Sequence, residues 1–529
     1  MQYTTTTIWR ILIAAFVVAI YFFGLGTLPL LGPDEPRYAQ VAREMLERGD
    51  WITPTLGGFN WFEKPALLYW LQIIGYKLFG INEFAARFGS LVFGLSTIAT
   101  IYLLARHIEK VQSARLSLSN SSLRFSDIAF LMSASSVGFV AFSRAASFDI
   151  ILTFPVTAAL ACFFVSQLKS SERKGGNLPL FGFYVFVGIA LIAKGLIGVV
   201  LPFGVIITFQ LLSFSLPSKR FIVSLIWGSF VTCAVASAWY APVILRHGQE
   251  FIDEFFVQQH FARYASNKYA HEQPFLYFFL VLPLMILPWL PFAVLFVIPK
   301  SRFAAIDERS DRDIVASSRF FFIAWLIFPL AFFSFSGSKL PGYILPALPA
   351  VILLLSIQLG KITHVKFWRL SVQILAFCVL ISIPLIITFG SEGFTRSETA
   401  KTLMQLAANK GFATEKVLNL HEISHSLEFY ANGRLVRNDD GRQQKFQGVS
   451  EVIAFVKLNG GERKLKIGAS TTVKPRSRTG LDCAMDRIGS FIKSGSTRHA
   501  PSISTLAPVK MQPDETCPHG ILKAAAACA

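Results

Sequence analysis

The sequence predicts an all-α polytopic membrane protein with about eleven transmembrane helices and a small soluble α/β domain at its C-terminal end. Three observations predict it. Of 529 residues, 53% are hydrophobic and only 16% charged, and the mean hydropathy is +0.51. Apolar blocks recur near the length of roughly 20 residues that a bilayer core of about 30 Å requires. Lys and Arg gather between alternate blocks. A disordered chain is excluded by this composition, and an ordinary soluble enzyme of this length would show moderate apolar content spread over several domains.

The first apolar stretch, Ile8 to Leu31, is too long for a signal-peptide core and lacks a small-x-small cleavage site before Asp34, so it reads as a retained span. Further spans are expected at 82–106, 126–143, 145–168, 178–193, 195–214, 221–244, 275–298, 319–335, 343–359 and 370–389. Ala66 to Gly80 is apolar but short, and is expected as an interfacial or re-entrant helix feeding the next span. With the N-terminus inside, the cytoplasmic loops hold Arg106, Lys110, Arg115 and Arg124, then Lys169, Arg173 and Lys174, then Lys219 and Arg220. Lys300 to Arg319 and Lys361 to Arg369 continue the alternation. The net charge of +18 is therefore largely a topology signal, and no nucleic-acid surface is needed to explain it. Six cysteines show no metal-ligand spacing.

The segments left on the extracytoplasmic side carry most of the chemically suggestive residues: Gly32 to Pro65, Ser143 to Asp149, the turn at Lys194, Arg246 to Pro274, and Gly337 to Tyr343. In the first, GPDEPRYAQVAREMLERG, apolar residues recur at helical spacing from Tyr38 and Gly49 ends the pattern. Asp34 and Glu35 then stand at a helix N-terminus, where acids cap the helix and meet its dipole. A cap and a catalytic base are not exclusive. Glu63 and Lys64 precede a membrane-entering helix, either as an interfacial ion pair with a snorkelling lysine or as a phosphate-binding Lys64 beside a cation-holding Glu63. Asp149 is a carboxylate at a membrane edge, expensive enough to be a functional candidate. Lys194 stands at a helix hairpin where Gly195 alone explains a tight turn. His260 and Arg263 share one helical face, and Arg263 facing a phosphate is a better reading than His260 as a lone metal ligand. Lys339 and Tyr343 lie in GSKLPGYILPALP, whose prolines shape the start of a helix. No Gly-rich phosphate loop, Ser-His-Asp order or HExxH motif accompanies them. A lipid phosphate as leaving group fits this set best.

Taken together, DEPRYA (34–39), FEKP (62–65), FD at 148–149, KG at 194–195, HFAR (260–263) and KLPGYILPALP (339–349) resemble the 4-amino-4-deoxy-L-arabinose lipid A transferase family. That family has the GT-C glycosyltransferase fold and is related to the dolichyl-phosphate-mannose protein mannosyltransferases. The resemblance runs in order across about residues 8–390, with a weaker echo at SLEFYANGRL (426–435). It implies an inverting transfer of a sugar from a polyprenyl phosphate, undecaprenyl phosphate in a bacterial inner membrane, on the periplasmic face. Asp34 matches the catalytic carboxylate, and Asp149 would be a second one. Lys64, Arg263, Lys194 and Tyr343 would receive the phosphate, Arg37 and Tyr38 would line the sugar pocket, and Glu63 with His260 would hold a divalent metal cation. The acceptor implied is lipid A or another envelope glycolipid. Protein hydroxyls are the second choice, and a lipid-linked sugar transporter is the rival from another class. The family has thirteen spans against the eleven read here.

The chain thus divides into a transmembrane domain at 1–389, a small extracytoplasmic α/β domain at 390–473 and a tail at 474–529 expected to be disordered. In the middle part, Ser397 to Lys410 and Ser450 to Leu458 read as helices, and Lys416 to Leu420 and Lys464 to Ile467 as strands.

Overall fold

A computed structural model describes residues 2–113, 123–171, 175–262, 273–296, 312–398, 400–420, 423–447, 451–452 and 465–468. The expected disordered tail at 474–529 and most of the helix expected at Ser450 to Leu458 lie outside the described residues. The chain forms two compact units: Met1–Leu28 with Val41–Phe389, and Pro29–Gln40 with everything from Gly390 onward.

The larger unit is helical. Its elements begin with α1 (Gln2–Phe22) and the C-terminal part of α2 (Asp34–Arg48). A two-residue antiparallel hairpin follows, β1 (Thr55–Leu56) with β2 (Phe59–Asn60), whose turn at Gly57 and Gly58 takes positive φ. Next come α3 (Leu67–Phe79), α4 (Glu83–Ser113), α5 (Phe125–Ser135), α6 (Val137–Ser143), α7 (Phe148–Ser171), α8 (Asn177–Lys194), α9 (Ile197–Leu212) and α10 (Lys219–Phe251). Among the described residues seven helices are long and apolar enough to cross a membrane, eight if α5 and α6 count as one. Four are α4, α7, α8 and α10, and the others lie at Ser317–Ser334, Pro341–Gly360 and Lys366–Gly390. Leu103, Ile207, Leu211 and Phe230 point outward and exposed, as helices surrounded by acyl chains allow.

Four expected spans take a different form: 195–214 is the 16-residue helix α9, shorter than a full crossing, and the other three each have a local reason. The block 8–31 yields a helix that ends at Phe22, because Gly24 turns the chain at φ +61°. Carbonyls at that end and in the turn beyond it are taken up by two arginines from later in the chain. Arg144 donates to the carbonyls of Tyr21 and Phe23 at 2.8 Å, and Arg87 to that of Leu28 at 2.7 Å. The block 126–143 bends by 56° between α5 and α6. Ser135 and Ser136 donate back to the carbonyls four residues earlier, a bond that bends helices. The N–H of Val137 then finds the carbonyl of Leu287 at 3.0 Å, which satisfies a backbone donor that hydrocarbon would leave costly. The block 275–298 becomes a short helix at Tyr277–Met285 and a 3-10 turn at Leu290–Phe296. The apolar 66–80 segment is helix α3, whose Leu68, Tyr69 and Ile73 are buried and whose Gln72 donates to the carbonyl of Ala86 on α4.

The smaller unit holds three short parallel strands in the order β4-β3-β5: β3 (Lys416–Leu420) at the centre, β4 (Lys445–Phe446) and β5 (Leu465–Gly468) at its sides. Leu418, Leu420, Val436 and Phe446 pack one face, and Val417, Leu427, Ala431 and Leu435 the other. Pro29–Gln40 belongs here as well: the phenol oxygen of Tyr430 accepts from the N–H of Leu30 at 2.8 Å.

Candidate active site

Within the larger unit, Asp149 sits in the first turn of α7, where the helix dipole favours an anion, and Lys194 is the last residue of α8, where it favours a cation. Gly195 takes φ +75° and stops α8 at that lysine, its N–H returning to the carbonyl of Leu191 at 2.8 Å. The two side chains form an ion pair, both mostly buried. Ser147 accepts from the N–H of Asp149 at 3.1 Å and its hydroxyl lies 3.4 Å from Oδ2 of the carboxylate. The ammonium of Lys194 also lies over the ring of Tyr343, 4.5 Å from its centroid, a cation–π contact. Tyr343 is carried by the 3-10 stretch Pro341–Ala347, which the indole of Trp325 anchors by donating to the carbonyl of Pro346 at 2.8 Å.

Gly342 makes this assembly possible. A Cβ there would lie 1.8 Å from Oδ2 of Asp149, so any side chain displaces the carboxylate. Gly342→Ala should therefore reduce activity about 100-fold or more, in the range seen for loss of one electrostatic partner at a reacting centre. Activity within a few-fold of the parent, in protein extracted and folded to the same level, would refute the close approach.

Phe62 positions the Glu63–Lys64 pair. Its ring is fully buried, edge-on to His247 at 5.0 Å and to Phe251 at 5.2 Å, in a cluster with Trp239, Val243 and Phe255. Lys64 Nζ lies 3.1 Å from Oε1 of Glu63, so the two form the ion pair that one reading of the sequence expects, and both side chains are largely covered. The expected metal set, Glu63 with His260, has one member in view: the side chain of His260 and all of Arg263 lie outside the described residues. Among the described residues no group of three or more His, Cys, Asp or Glu is arranged to hold a metal ion.

Asp34, Arg37 and Tyr38 belong to the smaller unit. Asp34 is the first residue of α2 and half exposed, with Arg37 Nη2 3.5 Å from its Oδ1 one turn on. Glu35, the other acid of the first turn, is buried and accepts from the N–H of Leu31 at 2.9 Å, so it closes the start of the helix while Asp34 stays open. Tyr38 is buried.

A second set of charges in this unit escaped the reading of the sequence. Glu428 is buried and accepts from Arg437 and Gln443. Burial raises its carboxyl above the ordinary range, and Arg437, Gln443 and Arg37 oppose that. His425 is held below its ordinary 6.5, first by burial and then by the Arg37 guanidinium, against the pull of Asp34. The signal was in the sequence: Glu428 and Tyr430 lie in the SLEFYANGRL echo. A histidine with a depressed folded pKa contributes stability that is present above its unfolded value and is lost as pH falls through the folded one. The melting temperature of the full chain should thus drop as pH falls below about 6.5, and His425→Gln should flatten that drop. An identical pH profile in the variant would show that His425 is not the titrating group.

Known proteins resemble this chain in sequence and in fold. The profile of the dolichyl-phosphate-mannose-protein mannosyltransferase family matches residues 6–247. The undecaprenyl phosphate-alpha-4-amino-4-deoxy-L-arabinose arabinosyl transferase of Serratia proteamaculans is 29% identical over 427 residues, which cover 78% of this chain and 72% of that one. The protein of the same name from Yersinia enterocolitica is 30% identical over 348 residues, or 65% of this chain and 58% of its own length. Among solved structures, ArnT from Cupriavidus metallidurans bound to undecaprenyl phosphate superposes with a TM-score of 0.68 at 22% identity, over 85% of this chain and 91% of that one. Its apo state gives 0.62, also at 22% identity, over 86% and 89%. The helical membrane unit has the GT-C fold, and the named relatives it matches are membrane glycosyltransferases, the class to which this chain belongs. Within that class the chain is similar to the undecaprenyl phosphate-aminoarabinose arabinosyl transferases, at 29–30% identity.

Proposed function

We propose that the protein transfers a sugar from undecaprenyl phosphate, or a similar polyprenyl phosphate, to lipid A or a related envelope glycolipid at the periplasmic face of a bacterial inner membrane. The observation that carries the reading is the Asp149–Lys194 pair under Tyr343. An acceptor oxygen attacks the anomeric carbon from the side opposite the phosphate, the carbon–oxygen bond to phosphate breaks with its electron pair leaving on oxygen, and configuration inverts. Carboxylates stabilise the oxocarbenium-like charge that develops on the sugar, and cations receive the departing phosphate. Asp149 takes the first role and Lys194 and Lys64 the second, a role the HFAR motif also assigns to Arg263. Arg37 and Tyr38 contact the sugar. Asp34, half exposed beside Arg37, orients the acceptor and takes its proton when that acceptor is a hydroxyl.

The match to protein mannosyltransferases over residues 6–247 favours protein hydroxyls as the second acceptor class. A divalent cation at Glu63 and His260 belongs to the same reading, and unchanged transfer in excess chelator removes it. The deciding experiment incubates purified protein in lipid with labelled polyprenyl-phosphate sugars and a pool of envelope lipids and peptides. Asp34→Asn should lower transfer about 10²- to 10⁴-fold, the range for loss of a general base, with expression unchanged. Retained turnover removes Asp34 from the reaction. Donor movement across the membrane without transfer, unaffected by Asp34→Asn, makes the protein a transporter.

A further inference from the structure

An open-sided slot of about 730 Å³ runs between α4, α7 and α8. Thr100, Phe154 and Phe186 lie at its deep end, and the two phenyl rings meet edge-on at 5.7 Å. Its mouth is formed where α4 and α7 near their C-termini and α8 begins, at Lys110, Val165 and Leu178. From Thr100 to Lys110 a helix rises about 15 Å, half of a hydrocarbon core of about 30 Å. The slot therefore has the depth of a single leaflet.

Its walls are apolar, and Leu103 and Leu178 at its edge are 61% and 80% exposed. The mouth is basic: Arg106, His107 and Lys110 line it, with no carboxylate among the lining residues. Two acids of this region among the described residues are engaged elsewhere. Glu109 accepts from Ser126 at 2.8 Å, and Asp127 pairs with Arg10 at 2.7 Å. Arg106 donates to the hydroxyl of Tyr102 at 2.7 Å, which fixes its guanidinium at the end of the helix. The mouth also lies at the end that the Lys and Arg distribution assigns to the cytoplasm, where anionic lipids concentrate.

We propose that this slot is a binding site for an anionic glycerophospholipid of the cytoplasmic leaflet, with an acyl chain against Phe154 and Phe186 and the headgroup phosphate on Arg106 and Lys110. The site is separate from the sugar-transfer reading and stands whether or not that reading holds.

The test uses full-length protein stripped of lipid and given phosphatidylglycerol or phosphatidylcholine carrying a photoreactive acyl chain, with cross-links mapped by peptide. Two cations at about 1 kcal/mol each predict a preference for phosphatidylglycerol on the order of 30-fold. Cross-links should fall on α4, α7 and α8 and be competed by unlabelled phosphatidylglycerol but not by inorganic phosphate. Arg106→Gln with Lys110→Gln should abolish the preference, and Lys110→Gln alone, at an exposed position, should reduce it about fivefold. Equal labelling by both lipids, a preference that survives in the variants, or labelling elsewhere would overturn the proposal. Competition by undecaprenyl phosphate at least as strong as by phosphatidylglycerol would overturn it too, because the slot would then belong to the donor.

Discussion

Asp149→Asn should lower sugar transfer about 10²- to 10³-fold, the loss typical when one preorganised electrostatic partner is removed from a reacting centre. The substitution keeps the shape of the side chain and its contact with Ser147, and removes the charge that pairs with Lys194. Two consequences separate a chemical role from a structural one. With its partner neutral, Lys194 is left free to hold the donor phosphate, so the donor KM should fall or stay level while kcat collapses. Lys194→Ala should do the reverse and raise the donor KM, because a cation that meets the phosphate is gone. Equal rises in KM in both variants would mean that the pair only holds α7 to α8.

The second large effect is on stability. Glu428→Ala should destabilise the smaller unit by about 3–5 kcal/mol, the cost of leaving a buried charged partner uncompensated. Arg437 is left without its carboxylate, and Gln443 loses an acceptor while keeping its bond from Asn419. Stabilities of whole domains are only about 5–15 kcal/mol, so a unit with three short strands has little to spare. Limited proteolysis should cut the variant between Lys401 and Phe446 at protease concentrations where the parent resists there. Glu428→Gln, which preserves one acceptor and the volume, should fall between the two. Parental resistance in Glu428→Ala would show that the Glu428–Arg437 pair contributes little.

How much of this could be read in the sequence depended on the range of the forces involved. The expected spans 82–106, 145–168 and 178–193 correspond to helices at Glu83–Val111, Phe148–Lys169 and Asn177–Lys194, since hydropathy over one continuous block decides them. The strand Lys416–Leu420 has the bounds its pattern predicts. The bend at Ser136 carries no proline, and depends on a carbonyl supplied by Leu287, far along the chain. Likewise, Pro29–Gln40 groups with the late residues through contacts such as Leu30 to Tyr430, which no local pattern announces. Asp149, Lys194 and Tyr343 stood out one by one as charges and aromatics at membrane edges. Their meeting requires the bare backbone of Gly342, which a motif contains but does not explain. Arg263 and the side chain of His260 lie outside the described residues, so these two of the six expected phosphate and metal residues have no geometry to compare.

The arginines that close the end of α1 impose an order on biogenesis. Arg87 serves the carbonyl of Leu28, and Arg144 serves those of Tyr21 and Phe23, so the first helix is complete only after about 140 residues have left the ribosome. Until then its terminal carbonyls must rest in the watery interface or against the insertion machinery. A nascent chain halted before Arg144 should leave Tyr21 to Phe23 open to protease or chemical labelling from the aqueous side, and one halted well past it should not.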